Sequence, residues 1–182
     1  GGGGDIVGPV GGGAAAAQYI DERFKAIGLQ PGGDAGSYVQ KLTVEKGPQG
    51  TPVETVNVIG VMPGTKAAWK DQSAVLSAHY DHLGLGWPDV HKGEEGKVHP
   101  GADDNASGSS GLMELVEAFS FLSEPPKRSV LILATDAEEK GLFGSKHWAA
   151  HPTVPVEKVV AGINMDMIGR LRDDKLYIYG MR

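Results

Sequence analysis

The chain has 182 residues, with 17 Lys and Arg against 23 Asp and Glu, and no cysteine. This length supports one domain with a buried core and falls short of two. A net charge of −6 argues against nucleic acid as a partner, the missing cysteines exclude disulfides and thiolate metal sites, and no apolar run reaches the roughly 18 residues a membrane helix needs.

Gly1 to Gly13 is rich in glycine and lacks the basic start and apolar stretch of a secretory signal, so it reads as flexible and outside the fold. A helix is expected over 14–27, with Ala16, Tyr19, Ile20, Phe24 and Ile27 on one stripe and Asp21 one turn before Lys25. Gly28 and Pro31 end it. Residues 38–44 and 53–62 alternate and are rich in β-branched side chains, and the turn-like Lys46 to Gly50 joins them as an antiparallel pair. A short apolar strand covers 74–78. A polar loop then runs from Leu83 to Pro100, long enough to suggest a functional role.

Residues 107–122 form a second predicted helix with a buried stripe of Leu112, Leu115, Val116, Phe119 and Leu122, ended by Pro125 and Pro126. A continuous apolar strand follows at 130–134, a short helix at 142–150, and strands at 159–165 and 176–179. Strand, helix, strand, helix, strand from 74 to 165 implies right-handed crossovers. The expected class is α/β, a mixed and mainly parallel central sheet flanked by helices. Ligands of such sheets gather at the carboxyl ends of strands.

Four short motifs lie at those ends or at a helix start: Ala78-His79-Tyr80-Asp81-His82, Gly101-Ala102-Asp103-Asp104-Asn105, Asp136-Ala137-Glu138-Glu139 and Asn164-Met165-Asp166. Neutral imidazole is a zinc ligand, and Asp81, two residues after His79, can orient the ring. A turn histidine beside a capping acid is the plainer reading of that pair. Asp104 can bridge two cations or cap the helix, with Asp103 as its competitor. Glu138 and Glu139 together are costly to place without a positive charge between them; one can ligate a metal while the other takes a proton from water. Alone, they would read as a solvated turn. Asp166 has apolar neighbours, which favours a metal or an arginine partner such as Arg170. The full set is nitrogen and carboxylate, suited to catalytic zinc.

The stretches Ser77 to Gly84, Pro100 to Gly108, Ala134 to Ser145 and Asn164 to Arg170 resemble the co-catalytic dinuclear zinc peptidases, which include bacterial secreted leucyl aminopeptidases and glutamate carboxypeptidase II. The resemblance implies an α/β/α zinc-exopeptidase fold and a metallopeptidase, most directly an aminopeptidase, with a peptide substrate and a secreted or periplasmic location. It implies that His79 and Asp166 hold one zinc, Glu139 the other and Asp104 both. It makes Glu138 the general base and Asp81 the support of His79. The family's second zinc also takes a histidine well beyond the aspartate equivalent to Asp166. Residues 14–182 therefore resemble the N-terminal two-thirds of the catalytic domain, expected to hold one zinc tightly and the second poorly. His82, His91, His99, His147 and His151 are candidate substitutes for that histidine, but they sit in no equivalent motif and read as surface or loop histidines. Alternatives on the same fold are an inactive binding module, a carboxypeptidase and a single-zinc cyclase.

Overall fold

A computed structural model describes residues 12–47, 50–69, 71–86, 90–171, 173–175 and 177–180. Most of the glycine-rich start, and Pro48 and Gln49 of the expected turn, lie outside the described residues. Helix α1 (Gly12–Ile27) begins two residues before the expected start. It buries Ala17, Ile20 and Phe24, residues three and four apart that share one helical face. Tyr19, expected on that stripe, is 55% exposed because it sits off this narrower face.

Strands β1 (Gln30–Pro31), β2 (Val39–Val44), β3 (Val53–Met62), β4 (Ser73–His79), β5 (Ser129–Thr135) and β6 (Val159–Asn164) form one sheet in the order β1-β3-β5-β4-β6, with β2 also on β3. The expected β2/β3 antiparallel pair is present, Val39 facing Val58 and Val44 facing Val53. β4 runs parallel to both β5 and β6, while β3 is antiparallel to β5. The parallel part is thus the three strands β5-β4-β6, and the sheet as a whole is mixed.

Helix α2 (Gly108–Ser120) crosses between β4 and β5, and α3 (Phe143–Ala150) between β5 and β6. β5 alternates its contacts to both faces. Ala134, Ile132 and Val130 meet α1 and α2 side chains such as Phe24, Leu112 and Val116; Leu131 and Leu133 join Ile59, Val75 and Trp148 on the other face. Each such side chain, fully removed from water, contributes roughly 1.5–3 kcal/mol. Leu122, placed on the α2 stripe by its spacing, falls beyond the helix end and is 49% exposed.

Two expectations at the C-terminal side fail. The strand at 159–165 is expected to be buried, yet β6 is exposed along almost its whole length; among the described residues its strand partner is β4 alone, at the end of the sheet. Of the strand expected at 176–179, Leu176 lies outside the described residues, and Tyr177 to Tyr179 form no strand and have exposed side chains. Their alternation describes faces that could pack, but no described strand lies beside them to supply hydrogen-bond partners. No helix among the described residues is long and apolar enough to cross a membrane.

Candidate metal centre

The parallel register brings the ends of β4, β5 and β6 to one place: His79 pairs with Thr135, and Ser77 with Asn164. His79 therefore emerges at the carboxyl edge, with Glu138 and Glu139 following β5 on one side and Asp166 following β6 on the other. His79 is 2% exposed. Ser109 Oγ in the first turn of α2 donates to the His79 carbonyl at 2.7 Å, fixing helix to strand.

The ring is oriented from behind. Its Nδ1 lies 3.1 Å from the Asp81 carbonyl oxygen and 3.4 Å from Asp81 Oδ1. Both oxygens only accept, so Nδ1 carries a proton, and loss of the other ring proton to an incoming ion would present a lone pair at Nε2. The expected Asp81 support is present, but the backbone carbonyl shares it with the carboxylate. That carboxylate, fully buried, has a second role that spacing did not show: it accepts from the backbone N–H of Glu138 at 3.0 Å and of Glu139 at 3.2 Å. One buried acid thus holds both the histidine and the di-glutamate turn.

Nε2 of His79 is buried and makes no hydrogen bond. Three carboxylate oxygens nevertheless surround it: Asp104 Oδ1 at 3.2 Å, Asp166 Oδ1 at 3.5 Å and Glu138 Oε2 at 4.0 Å. A zinc ion with ligand atoms about 2.0–2.1 Å away in a tetrahedron separates those atoms by about 3.3 Å. The first two distances match that edge length, and the lack of hydrogen-bond geometry fits groups aimed at a common point rather than at each other. His79, Asp104 and Asp166 form one cluster able to hold a metal ion. Without the ion, His79 is raised to about 9: burial lowers it, but the hydrogen bond and charge of Asp81 with the charges of Glu138 and Asp166 outweigh burial.

The two adjacent aspartates divide. Asp104 faces His79, whereas Asp103 accepts from Gly169 N–H at 2.9 Å and from Arg170 Nε at 2.5 Å. Arg170 is therefore taken by Asp103 rather than by Asp166. The turn Ala102–Ser107 departs from helical dihedrals at Asp104 and Asn105, which turns the Asp104 side chain toward the strand ends. Asn105, 1% exposed, locks that turn to the Asp166 segment. Its Nδ2 donates to the Met165 carbonyl at 3.0 Å, and its Oδ1 accepts from Gly108 N–H at 3.1 Å and Met167 N–H at 3.2 Å. A Cβ at Gly108 would lie 2.4 Å from both Asn105 Oδ1 and the Met165 carbonyl, so only glycine permits this approach.

Glu138 and Glu139 are both raised above the ordinary carboxylate range, first by burial. Around Glu138, Glu139, Asp81 and Asp166 add to this and His79 opposes it; around Glu139, Asp104 adds and His82 opposes. Beneath them lies a buried polar layer that the motifs did not reveal. Asn57 Nδ2 donates to Gln40 Oε1 at 3.0 Å and to the Gly144 carbonyl at 2.9 Å, and Thr55 Oγ1 donates to Asp136. Inward-facing polar residues on an otherwise apolar alternating strand were the available signal.

His82, read from sequence as a loop histidine, also lies in the site. Its Nδ1 is 2.7 Å from Glu139 Oε1, and His82, Asp104 and Glu139 form a second cluster able to hold a metal. His91 and His99 instead line a separate small cavity with Leu83 and Val90, while His147 and His151 stack on each other.

The sequence of Peptidase family M28 matches residues 57–182. A protein named "Probable zinc metalloprotease" from Pyricularia oryzae is 32% identical over 88% of this chain, and Aminopeptidase YwaD of Bacillus subtilis is 29% identical over 62% of it. The chain spans 30% and 22% of the lengths of these relatives. Among solved structures, a Zn-dependent exopeptidase from Parabacteroides distasonis shares the fold with a TM-score of 0.71 at 23% identity, covering 91% of this chain and 56% of that one. A glutaminyl cyclase from Porphyromonas gingivalis does so with a TM-score of 0.69 at 23% identity and the same coverages. With its family match across more than half its length, the chain, whose four motifs gather at one sheet edge, belongs to Peptidase family M28.

Proposed function

We propose that this chain carries the catalytic centre of a zinc-dependent exopeptidase that removes the N-terminal residue of a peptide. The supporting observation is the buried His79 Nε2, without a hydrogen-bond partner and ringed by carboxylate oxygens at the spacing of zinc ligands. The family match and the aminopeptidase name of one relative supply the reaction class. His79, Asp104 and Asp166 would hold the tighter zinc. Asp104 and Glu139 would contribute to a second, weaker position.

When bound, zinc supplies Lewis acidity toward the scissile carbonyl and the attacking water. The protein's own groups do the rest. Asp81 fixes His79 and the backbone of the di-glutamate turn. Glu138 lies farther from Nε2 than Asp104 and Asp166 and is partly exposed. Its raised proton affinity suits it to take a proton from water and return it to the leaving amine.

The test is hydrolysis of aminoacyl anilides and of N-blocked and N-terminal glutaminyl peptides by the zinc-loaded protein. The expected result is cleavage only of free-amine substrates, with Glu138→Gln lowering turnover by about 10²–10⁴-fold while zinc content stays unchanged. Preference for blocked substrates, ring closure of glutaminyl peptides without release of an amino acid, or near-normal turnover in Glu138→Gln would overturn the reading.

A further inference from the structure

The turn that carries Glu138 leaves β5 through a disfavoured backbone conformation. Ala137 is fully buried at a φ of 58°, in the left-handed region that a residue with a Cβ rarely adopts. Such a conformation persists only where its surroundings hold it. Asp81, beside His79, holds the backbone of Glu138 and Glu139. Asn57 of β3, also fully buried, holds the two ends of the loop. Its Oδ1 accepts from the Asp136 N–H at 3.3 Å, and its Nδ2 donates to the Gly144 carbonyl, in the first turn of α3, at 2.9 Å. One amide therefore spans the segment 136–144. Its second Nδ2 hydrogen goes to Gln40 Oε1 at 3.0 Å, across the β2/β3 pair, and Gln40 Nε2 donates to the His151 carbonyl at 2.8 Å. Thr55, on the same face of β3, donates to the Asp136 carboxylate, whose Oδ1 accepts from the Ala137 N–H at 2.8 Å. A Cβ at Gly144 would lie 2.4 Å from Asn57 Oδ1, so glycine is needed for the approach. Core packing does not require an amide here: Ile59, next on this face, packs against Leu131 and Leu133. A buried amide is costly unless its hydrogen bonds are made, and those of Asn57 go to the loop and to its brace Gln40.

We infer that Asn57 is a positioning residue for Glu138. It acts through the turn and not on substrate. By pinning Asp136 and Gly144 it keeps Ala137 in its left-handed conformation, and so fixes where the Glu138 carboxylate stands beside His79 Nε2. This rests on the reading of Glu138 as the base that takes a proton from water. A shift of about 1 Å in such a group costs up to about 10²-fold in rate. The hydrogen bonds of Asn57 go to Gln40, Asp136 and Gly144 and to none of His79, Asp104 and Asp166, so its loss is expected to spare zinc binding.

Amide hydrogen exchange and turnover, compared for the unaltered protein, Asn57→Ser and Ile59→Val, test the assignment; Ile59→Val loosens the same strand without touching the turn. In the unaltered protein the Glu138, Glu139, Phe143 and Gly144 amides should exchange within about tenfold of the slowest β5 amides. In Asn57→Ser the turn amides should lose more protection than those of β5, whereas Ile59→Val should affect both alike. Asn57→Ser should lower kcat by about 10–100-fold with KM and zinc content unchanged, and should add little when Glu138→Gln is already present. Turn amides that exchange freely in the unaltered protein, or that keep their protection in Asn57→Ser, overturn the inference, as does a fully additive loss in the double variant. If Asn57→Ser does not fold, Gln40→Met, which removes only the brace of Asn57 and fills the same space, is read the same way. Impaired Glu138→Gln beside normal kcat in Asn57→Ser removes the inference alone; near-normal turnover in Glu138→Gln removes the base reading and the inference with it.

Discussion

The two halves of the ligand set are built on different foundations. His79 ends a strand hydrogen-bonded on both sides, is almost fully buried, and is oriented by a fully buried Asp81. His82 and Glu139 sit on loops, joined to the sheet mainly through the backbone contacts of Asp81 and Lys140. A ligand fixed before the ion arrives loses little conformational freedom on binding; a ligand on a loop must be ordered by it. On this ground the cluster at His79 is expected to bind an ion more tightly than the one at Glu139, although their donor chemistry is similar.

Asp104 is common to both candidate clusters, so removing it should have the largest effect. Asp104→Ala is expected to lose both ions, and elemental analysis still finding two per chain would refute its shared role. Asp81→Asn strikes the rigid half more selectively. The amide keeps one acceptor oxygen but loses the charge beside His79 and one acceptor for the di-glutamate turn. Zinc affinity at the His79 position should fall by about 10–100-fold, read by competition with a chelator. Unchanged affinity would mean that the backbone carbonyl alone orients the ring.

The smallest effect concerns the floor of the site. Asp136 is raised to about 7, first by burial and then by the charge of Asp81, while the hydrogen bonds from Thr55, the Ala137 N–H and Tyr80 pull it down. Because its folded value lies above its unfolded one, its contribution to stability is fully present below about pH 4 and is lost as pH rises through about 7. The metal-free chain should therefore lose stability across that window relative to Asp136→Asn. Parallel stability profiles for the two proteins, from denaturant unfolding in the presence of chelator, would contradict this.

The order of elements was legible because apolar alternation and glycine or proline stops report directly on which faces must be buried. Val53–Met62 has the same bounds in the sequence and in the structure. The convergence of His79, Asp104 and Asp166 was legible for a related reason: strand ends in a parallel sheet share an edge. Exposure at β6 and the absence of a strand at Tyr177 to Tyr179 were not, because a strand pattern does not name its neighbour. His82 was one of five candidate histidines and could not be singled out, because its partner Glu139 is 57 positions away and no local spacing links them. Applying the strand-end argument one residue past Asp81 would have found it. Asp81's hold on the Glu138 and Glu139 backbone was invisible for a similar reason, since backbone donors carry no side-chain signature.

The central claim is that His79 Nε2 is a metal ligand shared in space with Asp104 and Asp166. Anomalous diffraction from zinc-loaded crystals tests it most directly. The expected result is a zinc peak about 2.0–2.2 Å from His79 Nε2 and from one oxygen each of Asp104 and Asp166. A peak elsewhere, or a His79 Nε2 left without zinc at saturating metal, would contradict it.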